Sequence, residues 1–333
     1  MKITEQLLAQ WGACSDGKRT FTQKFPEGAE YKEVIAACDE DGHRDYRNWI
    51  FTRAFQHLEA SEIVEAETNL VPNEIEKGLA PLQLLESTER KDTDTISKED
   101  DSRLAASGRY SRLAASGFNS RLAASGRYSR LAASGFNSQL AASGDDSRLA
   151  ASGRYSRLAA SGDDSRLAAS GRYSRLAASG DDSRLAASGR YSRLAASGDD
   201  SQLAASGDDS RLAASGRYSR LAASGDDSRL AASGRYSRLA ASGDDSQLAA
   251  SGRYSRLAAS GDDSQLAASG DNSIVTSSGL GATFKIGKGG CAAIAYCDEQ
   301  DRTRFAVAYE GENVEANTLY HVNEKGEFIK VEE

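Results

Sequence analysis

The chain has 333 residues, and a nine-residue unit, S-[RQ]-L-A-A-S-G-x-x, repeats without a gap from Ser102 to Asn272, nineteen times over 171 residues. A length of this order usually means two domains or one large one, but half of this chain lacks the sequence variety that an irregular core or a convergent active site needs, so the repeat is read first. The formal net charge of -8 divides unevenly: the repeats hold 23 arginines and 17 aspartates and carry +6, which leaves -14 on the flanks. Within the repeats both signs alternate every few residues and largely cancel over a Debye length of ~8–10 Å, so the arginines by themselves are no nucleic-acid signature.

Cys14, Cys38, Cys291 and Cys297 lie in the flanks without a C-x-x-C pair, and the first residues, Met1 to Glu5, have no signal-peptide apolar run. No stretch approaches the roughly 18–20 apolar residues that span a bilayer. The expectation is a cytoplasmic protein with reduced thiols, Cys291 and Cys297 buried on or near a strand, and no membrane partner.

Residues 1–60 read as a small helical domain. Thr4 caps a first helix that ends at Trp11, with Leu7, Leu8 and Trp11 at helical spacing. Pro26-Glu27-Gly28 interrupts, a second helix covers Tyr31 to Cys38, and a third runs from about Asp45 to Leu58. Both tryptophans, Trp11 and Trp49, fall here, as one small core requires. Residues 61–101 read as an acidic connection and N-terminal solenoid cap, with a strand-like alternation from Ser61 to Ala66 and a plug from Leu79 to Leu85. Asp100-Asp101 occupies the variable pair of the repeat register, which marks the preceding residues as a decayed repeat.

Residues 102–272 admit three structures. As a helix, nine residues make about 2.5 turns, successive leucines face opposite sides, and every unit carries a helix-weakening Gly. As a disordered tract, the L-A-A of each unit is too apolar. The remaining reading is a β-solenoid, with S-R-L-A-A-S as a short strand, Leu and the second Ala inward, Arg, Ala and Ser outward, and Gly with the variable pair at the corner. The corner pairs set the coil: Asp-Asp and Arg-Tyr alternate at Asp145, Arg154, Asp163, Arg172, Asp181 and Arg190, a period of 18 residues. Asp199-Asp200 followed by Asp208-Asp209 slips that alternation by half a coil, which is harmless only in a flattened coil with two near-equivalent halves. Stacked aspartates then cost roughly 0.9 kcal/mol per pair at ~4.8 Å in water, offset by the second-position arginines. After Asn272 larger apolar residues replace Leu-Ala-Ala, and strands at Cys291–Tyr296, Arg304–Tyr309, Thr318–Val322 and Glu327–Val331 make residues 273–333 a β-rich C-terminal cap, the last two joined by an Asn323-Glu324-Lys325-Gly326 hairpin. The fold class is mainly β: a two-sheet β-solenoid of about 18 residues per coil, with a small α-helical N-terminal domain.

The segments Gly289-Gly290-Cys291-Ala292-Ala293-Ile294-Ala295-Tyr296, Arg304-Phe305-Ala306-Val307-Ala308-Tyr309, Asn317-Thr318-Leu319-Tyr320 and Gly326-Glu327-Phe328, together with the layout, resemble bacteriophage and prophage repeat proteins that have an N-terminal helical module, Ser/Ala/Gly-rich nonapeptide repeats and a β cap. The resemblance is close over about 60 residues and architectural elsewhere. It implies a phage or prophage origin, the host cytoplasm as location, and no activity or catalytic residues.

The sharper motifs are weighed against plainer ones. G-D-D-S at the corners is reminiscent of calcium-binding nonapeptides, but G-G-x-G-x-D is absent and alternate corners are Arg-Tyr, so solvated corners without metal or cofactor are expected. His43-Arg44-Asp45 lacks every other kinase element, and His57 and His321 have no ligand partners at zinc spacing. An ice-binding face is excluded by an Arg in each rank. What remains are ladders: Arg154, Tyr155, Arg172, Tyr173, Arg190 and Tyr191 on one edge, and Asp145, Asp163, Asp181 and Asp199 on the other. The expected role is non-enzymatic, a structural and binding module presenting these ladders to a macromolecular partner, in the first place a protein. The alternative is a nucleic-acid binder or DNA mimic that inhibits a host defence enzyme. The Ala and Ser rows also suit side-by-side packing of two rods.

Overall fold

The computed structural model describes residues 2–41, 43, 46, 49, 50, 53 and 94–331. The N-terminal module comprises β1 (Lys2–Ile3), α1 (Glu5–Gln10), α2 (Ser15–Lys24), β2 (Ala29–Glu30) and α3 (Tyr31–Asp41). Thr4 caps α1 as its sequence position requires, its Oγ1 accepting from Leu7 N at 3.2 Å. The apolar spacing gives no sign of α2, because only Phe21 of its ten residues is buried; its cap is the Cys14 thiol, whose Sγ accepts from Gly17 N at 3.3 Å. Ile3, Leu8, Phe21, Val34, Ile35 and Ile50 form the module's core, and Trp11 meets Trp49 edge-on at 6.5 Å. Of the helix expected around Asp45–Leu58, Tyr46, Trp49, Ile50 and Arg53 are described and are helical; the rest of it, most of the acidic connection, His57 and the Leu79–Leu85 plug lie outside the described residues.

The decayed repeat is a full member of the solenoid, since β3 (Asp94–Ser97) pairs in register with the second repeat strand. Each of the nineteen units then supplies one four-residue strand, R/Q-L-A-A, from β4 (Arg103–Ala106) to β22 (Gln265–Ala268), and β23 (Ile274–Ser277) and β24 (Thr283–Ile286) continue the series. Every strand pairs in parallel with the strand two units away, so each coil has 18 residues and two strands, and about 11 coils stack. At the strand spacing the stack is about 50 Å long. From β3 to β24 odd-numbered strands form one sheet and even-numbered strands the other, and the cap strands bring each sheet to thirteen.

The interior is thin and repetitive. Leu and the second Ala of each strand point inward from both sheets, and from Leu113 to Ala268 these leucines and alanines are buried, in one continuous core. Two features hold the corner. From Ser111 to Ser264 the leading Ser of each unit is buried and its Oγ donates to the Gly carbonyl three residues earlier, from 2.5 Å at Ser147 to 3.0 Å at Ser111. The Gly itself faces the corner of the coil below: a Cβ on Gly171 would lie 2.1 Å from the Gly153 carbonyl oxygen, so each glycine with a coil beneath it can be nothing else. Glu99 occupies the glycine position of the first odd-to-even corner, where no described coil precedes it.

The cap ends both sheets with antiparallel strands. β25 (Cys291–Cys297) extends the odd sheet in parallel and β26 (Thr303–Tyr309) folds back on it; β27 (Tyr320–Val322) and β28 (Phe328–Lys330) close the even sheet. Phe284, Tyr320 and Phe328 replace leucine and alanine and fill the end of the core, with ring centroids 5.7–6.0 Å apart. Cys291 and Cys297 depart from the expected burial: both are half-buried, because they stand at the two ends of a strand instead of its middle. Cys14, the cap of α2, is exposed and Cys38 is half-buried, and none of the four is in a disulfide.

Candidate interaction surface

Eighteen-residue stacking sorts the corner pairs onto two edges of the rod. The forward edge, where odd strands turn into even ones, carries from N to C Asp100-Asp101, Phe118-Asn119, Phe136-Asn137, Arg-Tyr at 154, 172 and 190, then Asp-Asp at 208, 226, 244 and 262. The return edge carries Arg-Tyr at 109 and 127, Asp-Asp at 145, 163, 181 and 199, Arg-Tyr at 217, 235 and 253, then Asp271-Asn272. The structure therefore brings Arg154, Tyr155, Arg172, Tyr173, Arg190 and Tyr191 together on one edge, and Asp145, Asp163, Asp181 and Asp199 on the other. The half-coil step between Asp199 and Asp208 exchanges acidic and basic character on both edges at the same height.

The second residue of each pair from Asn119 to Asn272 sits in the left-handed region, with φ of 55° at Asp146 and 63° at Tyr173. Asp and Asn tolerate this readily; a tyrosine is strained by about 1–2 kcal/mol. Stacking offsets the strain. The rings of Tyr155, Tyr173 and Tyr191 stack at successive centroid distances of 5.0 Å, as do those of Tyr218 and Tyr236, a contact worth about 0.5–1.5 kcal/mol. Rings packed face to face at this distance leave no gap for a nucleobase.

The acidic columns are held by a device that only the stack reveals. The first Asp of a pair accepts, through Oδ1, the backbone N–H of the corner one coil further on: Asp181 N donates to Asp163 Oδ1 at 2.9 Å and Asp199 N to Asp181 Oδ1 at 2.8 Å. On the forward edge Asp262 N donates to Asp244 Oδ1 at 2.9 Å. These bonds, together with second-position arginines such as Arg211 and Arg229 near Asp209, offset the like-charge cost of the column. Where a basic block meets an acidic one the side chains pair: Arg127 with Asp145 at 3.3 Å, Arg190 with Asp208 at 3.0 Å, Arg217 with Asp199 at 2.8 Å, and Arg253 with Asp271 at 3.5 Å. Hydrogen bonds from the Arg217 side chain and backbone hold the Asp199 carboxyl below the ordinary carboxylate value. On the second column of the forward edge, burial pushes Asp209, Asp227 and Asp245 upward, and neighbouring aspartates add to it.

The two outer faces differ although their sequences do not. On the even sheet the outward Ala row from Ala123 to Ala267 is at most 3 % exposed, and Arg211, Arg229 and Gln247 are buried beside it. The N-terminal module's core includes Ala249 and Ala267 of this row. On the odd sheet the corresponding row, Ala132 to Ala258, is exposed, flanked on one side by a rank of arginines with Gln202 among them and on the other by serines. None of the arginines at 112, 130, 148, 166, 184, 220, 238 and 256 has a carboxylate within ion-pair reach among the described residues. The outward rows expected on both sheets are thus displayed on one. The open trough ends in bulkier apolar groups, Ile96 at one end and Ile274, Phe305, Val307 and Tyr309 at the other, all exposed.

Among the described residues no group of three or more His, Cys, Asp or Glu side chains could hold a metal ion, and no helix is long and apolar enough to cross a membrane. Lys24 and Asp41 form an ion pair at 2.6 Å beside an apolar cavity of the N-terminal module, which is lined by Leu8, Phe21, Val34, Trp49 and Ile50. Neither the curated proteins nor the solved structures include a match to this chain. Residues 1–58 match one family model, that of the YdhT N-terminal domain, so the helical module is similar to that domain and the solenoid and cap follow a stretch of chain that the match does not cover.

Proposed function

We propose that this protein is a non-enzymatic structural and binding rod of phage type, acting in the host cytoplasm, whose exposed ladders engage a macromolecular partner, in the first place a protein with an acidic surface. The observation that carries the reading is the unequal treatment of two faces built from one unit. The even face is covered, and its Ala row receives apolar groups of the chain's own N-terminal module. The odd face stays open over the same length, with small apolar residues beside an unpaired rank of arginines. Straight ranks on a rigid sheet are pre-organised, so a partner orders few side chains on binding, and Arg is favoured at interfaces because it keeps its charge and binds carboxylates in a fixed geometry.

The test is capture of partners from host lysate by the full chain and by a variant carrying Arg148→Gln, Arg166→Gln and Arg184→Gln. Gln already stands in this rank at Gln202, so the fold tolerates the change. Partners retained by the wild type and lost by the variant support the reading; identical recovery from both refutes it. A second reading, a mimic of nucleic acid that occupies a host defence enzyme, draws on the acidic columns, whose carboxylates stand in straight rows of four. Their charge density is lower than that of duplex DNA, one charge per ~1.7 Å, and the tightly stacked tyrosines disfavour direct binding of bases.

A further inference from the structure

We propose that the forward edge joins two copies of this chain in an antiparallel dimer, about a two-fold axis passing between Arg190 and Asp208. The inference rests on the reading of the corner ladders as recognition surfaces and names their partner: a second copy. Along this edge three Arg-Tyr corners, at 154, 172 and 190, are followed by Asp-Asp corners at 208, 226, 244 and 262. Rotating such a series by half a turn about its midpoint lays basic corners on acidic ones throughout. Arg190 then faces Asp208 of the second copy, Arg172 faces Asp226, and Arg154 faces Asp244, and each pairing occurs twice. Beyond them Asp262 meets the uncharged Phe136-Asn137 corner, so no like charges oppose.

The half-coil step makes this possible. Without it the charged corners from residue 145 onward would be all acidic on one edge and all basic on the other, and each such run would repel its own copy under a two-fold, the commonest symmetry of protein dimers. The return edge is the poorer candidate: the same rotation about its own step brings Asp145 onto Asp271, and Asp199 is already held by both Nε and Nη2 of Arg217. On the forward edge the groups away from the step are available. Among the described residues Arg154 and Arg172 have no ion-pair partner, and Asp226 and Asp244 use Oδ1 for backbone N–H groups and leave Oδ2 without one. Arg154, Arg172, Arg190, Asp226 and Asp244 are exposed and Asp208 is half-exposed. The geometry within one rod demonstrates the pairing, since Arg190 reaches Asp208 across one coil at 3.0 Å. The contact strip is narrow, about 35 Å by 10 Å from the strand and sheet spacings, or roughly 350 Å² per partner, below the ~800 Å² of a standard interface. The dimer is therefore weak, driven by charge and dissolved by salt.

The experiment is sedimentation equilibrium of the full chain at low salt over a concentration series, with two variants built from corner pairs that the fold already uses. In the first, Arg-Tyr at 154, 172 and 190 becomes Asp-Asp, giving an edge whose charged corners are all acidic; in the second, Asp-Asp at 208, 226 and 244 becomes Arg-Tyr, giving a run of basic corners from 154 to 244. Circular dichroism establishes that each keeps its β signal, and Arg172→Gln with Asp226→Asn serves as a milder pair if either unfolds. The wild type is expected to dimerise reversibly and to dissociate in salt, each variant alone to associate at least about tenfold more weakly, and their mixture to recover the dimer. A wild type that stays monomeric at high micromolar concentration overturns the proposal. So does loss of association in the return-edge variant Asp163→Asn/Asp181→Asn, or a mixture that fails to recover, since both would place the contact between opposite edges of parallel rods. Captured partners that survive the edge variants but not the odd-face Arg→Gln variant separate failure of this inference from failure of the proposed function.

Discussion

The even and odd sheets are built from the same S-R-L-A-A-S-G unit, yet one outer face is buried and the other is open. Inside, the two are equivalent: Leu167 of the odd sheet and Leu176 of the even sheet are both buried, as are Ala169 and Ala178. The difference lies in what each outer row meets. A repeat therefore fixes the coil, and what packs on its outer rows fixes which side stays open.

That comparison can be broken or sharpened by substitution. The largest effect is expected at the corner glycines, which serve both sheets alike. Gly171→Ala forces a Cβ against the Gly153 carbonyl and should cost about 3 kcal/mol or more, as should Gly180→Ala; a shift of only a few tenths of a kcal/mol in chemical denaturation would refute the close-stacked corner. Next, Leu167→Ala and Leu176→Ala should each cost about 3 kcal/mol, and a large inequality between them would mean that the two inner faces are not equivalent. The outer rows should then diverge. Ala177→Asp, buried on the even sheet, is expected to cost about 2–4 kcal/mol, whereas Ala168→Asp, exposed on the odd sheet, should stay within about 0.5 kcal/mol. Ala249→Asp lies against the N-terminal module and should redden the emission of Trp11 and Trp49; unchanged emission would place the module elsewhere.

The smallest effects are those of pH, and they have opposite signs. Burial raises the Asp298 carboxyl, but hydrogen bonds from the Arg302 backbone and side chain, the Gln300 backbone and Arg304 outweigh it and bring the value down to about 2. Its contribution to stability is present above the ordinary carboxylate range and is lost as pH falls toward 2. Asp227 is raised, by burial first and by Asp209 next; its favourable contribution is complete below the ordinary range and disappears as pH rises through its elevated value. Thermal unfolding from neutral to acid pH should therefore give Asp298→Asn a smaller acid loss than wild type and Asp227→Asn a higher neutral midpoint. Parallel curves for either variant would contradict the assigned direction.

Much of this architecture is legible in the sequence. The alternation of Asp-Asp with Arg-Tyr sets the 18-residue coil because two corners of one coil must be copied together, and the inward Leu and Ala follow from the period of two along a strand. Asp100-Asp101 gives away the decayed repeat, and the larger apolar residues after Asn272 give away the cap. Other features leave no local trace. α2 buries one side chain, so it has no apolar stripe. The bond from a corner N–H to the first Asp of the corner one coil below joins residues 18 apart and is invisible until the stack is known. The opposite edges of the ladders were apparent from the period, whereas the ion pairs at block boundaries depend on side chains that meet only through stacking.

What the sequence determines by itself is periodic: coil length, strand register, the inner rows, the corner chemistry and the step that exchanges the two edges. These follow from short-range rules applied identically in every unit, where a glycine, a serine and a leucine each have one place to go. Only the tertiary structure decides which of two identical faces is covered, because a repeat contains nothing to tell its sides apart, and the choice depends on where a non-repeating module comes to rest against Ala249 and Ala267.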